Sequence, residues 1–206
     1  MLRSLFPTQI WHSKLGNTEL CDALAATCWV LSDEDEAGNQ WCDSEGYDGY
    51  TSYASLNDLP ERFPDFAALK QLLDAEAAKF ADALEWDLSE RALKLDALWV
   101  NILGEGGSHS GHIHPGSVIS GTFYVAVPEG AGLLKLEDPR LGLMMAAPAP
   151  VDQASDDARR FIYHTPETGH VLLWESWLRH EVMPNNSEDA RISISFNYAL
   201  TDISDS

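Results

Sequence analysis

The 206-residue chain carries 33 acidic against 13 basic side chains, a formal net charge of −20, and 45% hydrophobic residues. That apolar content excludes wholesale disorder and is enough to bury a core without disulfide or metal staples. The surplus negative charge repels phosphate backbones and anionic bilayers, so neither nucleic acid nor a membrane is an expected partner.

The N-terminal stretch has no long apolar run and no small-residue cleavage site, so it does not read as a signal peptide. No segment approaches the ~20 apolar residues of a membrane span. Cys21, Cys28 and Cys42 form neither an even disulfide framework nor a Cys-x-x-Cys pair. They read as buried free thiols in a reducing compartment, which makes the cytoplasm the expected location.

Residues 1–95 read as mainly helical. Thr18 suits an N-cap for a helix carrying Leu20, Leu24, Cys28 and Leu31 on one face. The acidic run 33–36 should end it as a solvated loop, with Gly38 and Asn39 marking a turn. Residues 41–60, rich in Trp, Tyr, Gly, Ser and Asp, read as an ordered loop and a candidate substrate lid. Pro64 and Asp65 then open a second helix, whose Phe66, Leu69, Leu73, Ala77, Phe80 and Leu84 form a stripe facing a core.

From Leu95 the pattern turns to β. Strands are expected within 97–103, 117–127, 132–136, 160–164, 170–174, 181–183 and 191–200, with Gly, Pro and Asn between them and a loop at 145–157. That punctuation fits an antiparallel sandwich or barrel. The expected organisation is a single domain over 1–206. Its N-terminal helical and loop region (1–95) packs on a β core (96–206).

Seven histidines are present. His112 and His114 stand two residues apart, a spacing that on a strand puts both imidazoles on one face, at a mouth marked by Pro115 and Gly116. Two neutral imidazoles side by side begin a site for a divalent first-row metal. His180 opens a later strand and can supply a third ligand, because distant strands return as neighbours in an antiparallel barrel. His109 reads as a gate or a solvated residue, and His164 and His170, flanking a turn, as structural. Trp174 and Trp177 are expected to pack under the His180 strand. In the strand at 191–198, Ile192, Ile194, Phe196 and Tyr198 share one face; Arg191, Ser193, Ser195 and Asn197 share the other. The polar row is either solvated or lines a cavity, where Arg191 and Ser193 can clamp a carboxylate.

His112-Ile-His-Pro115, Ser120-Gly-Thr-Phe-Tyr124, Ser176-Trp-Leu-Arg-His180 and Arg191-Ile-Ser-Ile-Ser-Phe-Asn197 occur in this order. Together they resemble the Fe(II)- and 2-oxoglutarate-dependent dioxygenases, most closely a bacterial and phage subgroup with a His-x-His-Pro motif. The resemblance spans residues 99–198. It implies a mainly β fold with flanking helices, its core a double-stranded β-helix (a cupin-like jelly roll). It also implies iron held by His112, His114 and His180. 2-Oxoglutarate would chelate the iron and reach Arg191 and Ser193 through its distal carboxylate. Asn101 would contact the other carboxylate, and Tyr124 would add a donor to the distal one. The implied reaction couples oxidative decarboxylation of 2-oxoglutarate to succinate with hydroxylation, or a related C–H oxidation, of a small molecule or peptide by O2. The chain departs from the usual pattern at His114, where most of the superfamily has a carboxylate. Glu181 or Glu105 could instead approach the metal, with one of the paired histidines behind the ligands. Two other readings stand beside this one. One is a cupin-like three-histidine metalloenzyme that uses no 2-oxoglutarate; the other is a non-catalytic β-sandwich binding module. Oligomeric state is open, a homodimer being compatible with the sequence.

Overall fold

The computed structural model describes residues 1–203. In chain order its elements are β1 (Ile10–Lys14), α1 (Thr18–Glu34), α2 (Glu36–Glu45), β2 (Tyr50–Thr51), α3 (Leu59–Arg62), α4 (Pro64–Ala83), β3 (Arg91–Leu103) and β4 (His109–His112). There follow β5 (Ile119–Ala126), β6 (Leu134–Glu137), β7 (Phe161–His164), β8 (His170–Glu175), β9 (His180–Val182) and β10 (Arg191–Asp202). The strands form two antiparallel sheets, of order β1-β8-β5-β10-β3-β2 and β4-β9-β6-β7. This is the expected jelly roll with helices added at its N-terminal side.

The helices cover one face of the six-stranded sheet. Phe66, Leu69, Leu73, Ala77 and Phe80 of α4 are buried in one cluster with Ile192, Ile194, Phe196 and Tyr198 of β10. Period 3.6 on the helix and period 2 on the strand thus supply complementary apolar faces. The Tyr198 hydroxyl leaves that core to donate to Asp74 at 2.8 Å. With the apolar row committed to the helices, Arg191, Ser193, Ser195 and Asn197 turn toward the second sheet. Arg191, Ser193 and Asn197 are buried, so the polar row lines the interior and is not solvated.

Several local readings are corrected. The cap of α1 is Asn17, which accepts from the Leu20 N–H at 2.9 Å, one residue before Thr18. Gly38 and Asn39 lie inside α2 and not in a turn. The chain bends at Asp35, whose carboxylate accepts from the Gly38 N–H at 3.0 Å and from Tyr50 and Ser55. A Cβ at Gly38 would sit 2.2 Å from that carboxylate, so glycine there makes the compact cap fit. Residues 10–14 form an edge strand that the sequence hides among polar residues. It is held from α4 by Glu76, which accepts from Trp11 Nε1 at 2.6 Å and from Ser13 Oγ at 2.7 Å. The three cysteines are free and buried, as expected. No helix among the described residues is long and apolar enough to cross a membrane.

Candidate metal centre

β4 and β9 are antiparallel neighbours at one mouth of the roll, with His112 opposite His180. His114 lies two residues past the end of β4. Its N–H bonds to the Ser176 carbonyl at 3.1 Å, which turns its ring back toward β9. The paired imidazoles therefore meet through a turn and not through strand alternation. One nitrogen from each of His112, His114 and His180 lies within 4.8 Å of the others. Nε2 of His114 and Nε2 of His180 are 3.2 Å apart. Two nitrogens bound at right angles to one ion, each about 2.1 Å from it, stand about 3 Å apart. The three rings thus fit a single divalent cation.

Proton positions follow from the partners. His112 Nδ1 donates to the Ser110 carbonyl at 2.7 Å, and His180 Nδ1 to the Leu178 carbonyl at 2.9 Å. A carbonyl only accepts, so both rings leave Nε2 with a free lone pair. Nδ1 of His114 lies 3.3 Å from the Asn197 amide nitrogen. In that orientation the His114 proton sits on Nε2 and is given to His180. A half-turn of the amide presents its oxygen to Nδ1 and frees Nε2. Ser120, 2.8 Å from the other end of the amide and 2.8 Å from Ser176, can donate or accept and so suits both orientations. Burial, reinforced by the neighbouring His112, pushes His180 down to about 3 and His114 down to about 4. Both rings are neutral at pH 7, the form that ligates metal.

The carboxylate alternatives fail on position. Glu181 points to the opposite face of β9, where it accepts from Lys135 at 2.8 Å. Glu105 is exposed in the turn before β4 and lies outside the converging group.

Arg191 and Ser193 line the same cleft as the three histidines, together with Asn101, Trp99, His109 and Trp174. Arg191 is 1% exposed. Its Nη1 donates to Ser193 Oγ at 2.9 Å, and its guanidinium carbon stands 5.2 Å from the centroid of the Tyr124 ring. No carboxylate pairs with it among the described residues, and its Nε has no hydrogen-bond partner. The hydroxyls of Tyr124 and Tyr47 are likewise buried and unpartnered. Burial raises both tyrosines, Tyr124 to about 12, so both remain neutral donors. A buried cation flanked by spare donors presents the complement of a carboxylate.

Asn101 is already engaged. Its oxygen accepts from Thr51 at 2.9 Å and its amide donates to Ser195 at 3.0 Å, which leaves one N–H toward the cleft. Tyr47 was not foreseen as an individual residue, although its segment was singled out. It follows the end of α2 at Gly46, in left-handed backbone (φ 64°), and stands behind the cleft wall. There its ring packs edge-on to His109 at 5.2 Å. His109, half-buried, is pushed down to about 4 by burial and by the charges of His112 and Arg191, so it is a cleft wall and not a solvated residue. Tyr53, from the same segment, packs on Trp99, which packs on His114. Residues 46–53 therefore lie against the site, while residues of the 141–160 segment line a different groove, beside residues 4–8. Trp174 packs edge-on to His180 at 4.7 Å as expected, whereas Trp177 is 46% exposed.

Residues 97–197 match the family described as "Putative 2OG-Fe(II) oxygenase". A comparison with curated protein sequences returns no match. Among solved structures, the fold resembles the non-haem α-ketoglutarate-dependent epimerase SnoN of nogalamycin biosynthesis, at 14% identity and TM-score 0.63 over 93% of this chain and 76% of that one. It also resembles a Pseudomonas putida prolyl-4-hydroxylase, at 15% identity and TM-score 0.55 over 93% and 92% of the two chains. A third likeness is to HygX from Streptomyces hygroscopicus, solved with nickel and 2-oxoglutarate bound, at 13% identity and TM-score 0.59 over 93% and 82%. The sequence match, in a chain with this fold and this histidine group, shows that the protein belongs to the Fe(II)- and 2-oxoglutarate-dependent oxygenases, enzymes whose metal and cosubstrate are Fe(II) and 2-oxoglutarate.

Proposed function

We propose that the protein couples oxidative decarboxylation of 2-oxoglutarate to hydroxylation of a C–H bond in a small-molecule or peptide substrate, with His112, His114 and His180 as the complete protein ligand set of the iron. When bound, the iron and cosubstrate supply the activation of O2; the side chains hold, orient and shield. Arg191 takes the distal carboxylate of 2-oxoglutarate, helped by Ser193, Tyr124 and Tyr47. The free N–H of Asn101 serves the other carboxylate. Three neutral imidazoles leave the metal more positive than two imidazoles and a carboxylate would, which strengthens its hold on an anionic cosubstrate. The segment 46–53 shields the cleft from water and borders the substrate. The buried free cysteines support a cytoplasmic setting.

One observation carries this reading. A fully buried, carboxylate-free Arg191 points into the cleft that holds the histidine group. A solvated row on a binding module has no need of such a residue, and a metalloenzyme without 2-oxoglutarate has no use for it.

The test is anaerobic addition of 2-oxoglutarate to the Fe(II) protein. A metal-to-ligand charge-transfer band is expected, and its absence from protein with bound iron overturns the reading. Arg191→Lys should raise the 2-oxoglutarate concentration for half-saturation by about 10–100-fold, the value of a lost charge-assisted fork. Iron binding should stay within a few-fold. Equal loss of both would remove Arg191 from the carboxylate role.

A further inference from the structure

A second group of histidines lies at the other end of β8. In the β1–β8 ladder His12 is opposite Leu172, and Lys14 is opposite His170. Cross-strand partners share a face, so His12 and His170 stand diagonally on the face of Leu172. Leu172 packs with Leu134, Leu136 and Trp174 between the two sheets, so this face looks into the roll. From the opposite sheet β7 ends at His164, itself opposite Leu134. The His12 ring centroid is 5.0 Å from that of His164 and 5.1 Å from that of His170. The turn from β7 to β8 brings in Glu167, with its carboxylate 3.5 Å from His170 Nδ1.

One donor atom from each of His12, Glu167 and His170 lies within 4.8 Å of the others. His170 Nδ1 and His164 Nε2 are both shielded from solvent, and among the described residues neither has a hydrogen-bond partner. Buried ring nitrogens are ordinarily satisfied. The one on His170, left bare beside a second imidazole and a carboxylate, is the arrangement a cation completes.

We infer that His12, Glu167 and His170, with the His164 ring beside them, form a second site for a divalent first-row cation such as Zn(II). Two imidazoles and one carboxylate suit zinc with its fourth position left to solvent; Ca(II) and Mg(II), which take oxygen donors, are not expected there. The site is separate from the iron centre. His170 opens β8, and the strand runs about 13 Å before it reaches Trp174, which packs on His180. Its ligands come from the edge strand β1, the turn between β7 and β8, and the start of β8. A bound cation therefore staples the N-terminal strand onto the turn by which the chain passes from β7 in one sheet to β8 in the other. The half-buried and exposed ligands make it an exchangeable staple, open to solvent through His12.

Co(II) titration of the tag-free, metal-stripped full chain tests this, with bound metal measured after equilibrium dialysis. His12→Ala combined with Glu167→Gln should bind one equivalent fewer than wild type. The variant should still show the change in cobalt absorption that 2-oxoglutarate causes at the iron site. Equal binding by variant and wild type overturns the second site. Failure of the iron-site reading is distinguished separately, because it would remove the 2-oxoglutarate response in wild type without touching the equivalent lost in the variant. A readout on wild type alone covers the case of a misfolded variant. Saturating Co(II) should broaden the ring proton resonances of His12 and His170, and signals that stay sharp overturn the proposal.

Discussion

Asn197 sets the protonation state of His114 and with it the capacity of the histidine group. Without a cation, the facing nitrogens of His114 and His180 need a proton between them; with one they need none. The amide meets both demands by turning, because Ser120 accepts or donates at its other end. Replacing Asn197 by Leu removes the acceptor for His114 Nδ1–H and leaves Ser120 partly unpaired. We expect Fe(II) affinity to fall about 10–100-fold, the usual cost of losing a partner behind a metal-bound imidazole. Asn197→Asp, which still accepts from Nδ1–H, should retain most of that affinity. Competition with a chelator of known affinity measures both, and equal behaviour of the two variants would exclude the role.

At the scale of elements, Glu76 is the polar member of an otherwise apolar helix face. It lies on α4 among Leu73, Ala77 and Phe80, only 5% exposed, and ties β1 to that helix through Trp11 and Ser13 while pairing with Lys79 at 2.6 Å. Burial alone would raise its carboxyl; the hydrogen bonds from Lys79, Ser13 and Trp11 outweigh burial and hold it below the ordinary value. Glu76→Ala should destabilise the protein by about 2–3 kcal/mol in urea unfolding, the value of buried hydrogen bonds to a charged acceptor. The sign of the pH dependence follows from the lowered folded value. The contribution is fully present above the unfolded carboxyl value of about 4.3 and is lost as pH falls through the folded one. The stability gap between wild type and Glu76→Gln should thus be constant from about pH 5 upward and narrow below about pH 4. A gap that widened on acidification would contradict the assignment.

For the molecule as a whole, the charge of −20 sets how an anionic cosubstrate arrives. Arg191 is the buried cation of the cleft, inside a surface that repels 2-oxoglutarate at long range. Salt should therefore assist binding: the screening length falls from about 30 Å at 0.01 M to about 8 Å at 0.15 M ionic strength. The association rate of 2-oxoglutarate with the Fe(II) protein should rise over that range in stopped-flow measurements of the charge-transfer band. A falling rate would mean that local attraction by Arg191 and the metal outweighs the surface field. We propose that the helices and the six-stranded sheet, which share one apolar cluster, form one domain.

Periodicity, charge and motif order are properties of neighbouring residues, and these the sequence determined by itself. The stripe of α4, the alternation of β10 and the run of β segments after Leu95 are legible because each is a local pattern with its own apolar face. The Arg191-Ile-Ser193 motif is legible, but its two readings, solvated or cavity-lining, are separated only by burial in the fold. Tertiary structure decided the rest because the deciding contacts cross long stretches of chain. Tyr47 meets His109 at the cleft wall from the end of α2, and Asn197 meets His114 across the roll. Glu181 is turned away from the metal group by the pleat of β9 and paired with Lys135. β1 is illegible in the sequence for the same reason: five mostly polar residues make a strand only because β8 offers an edge and Glu76 an anchor. No window of sequence records which distant carboxylate, ring or edge will be waiting.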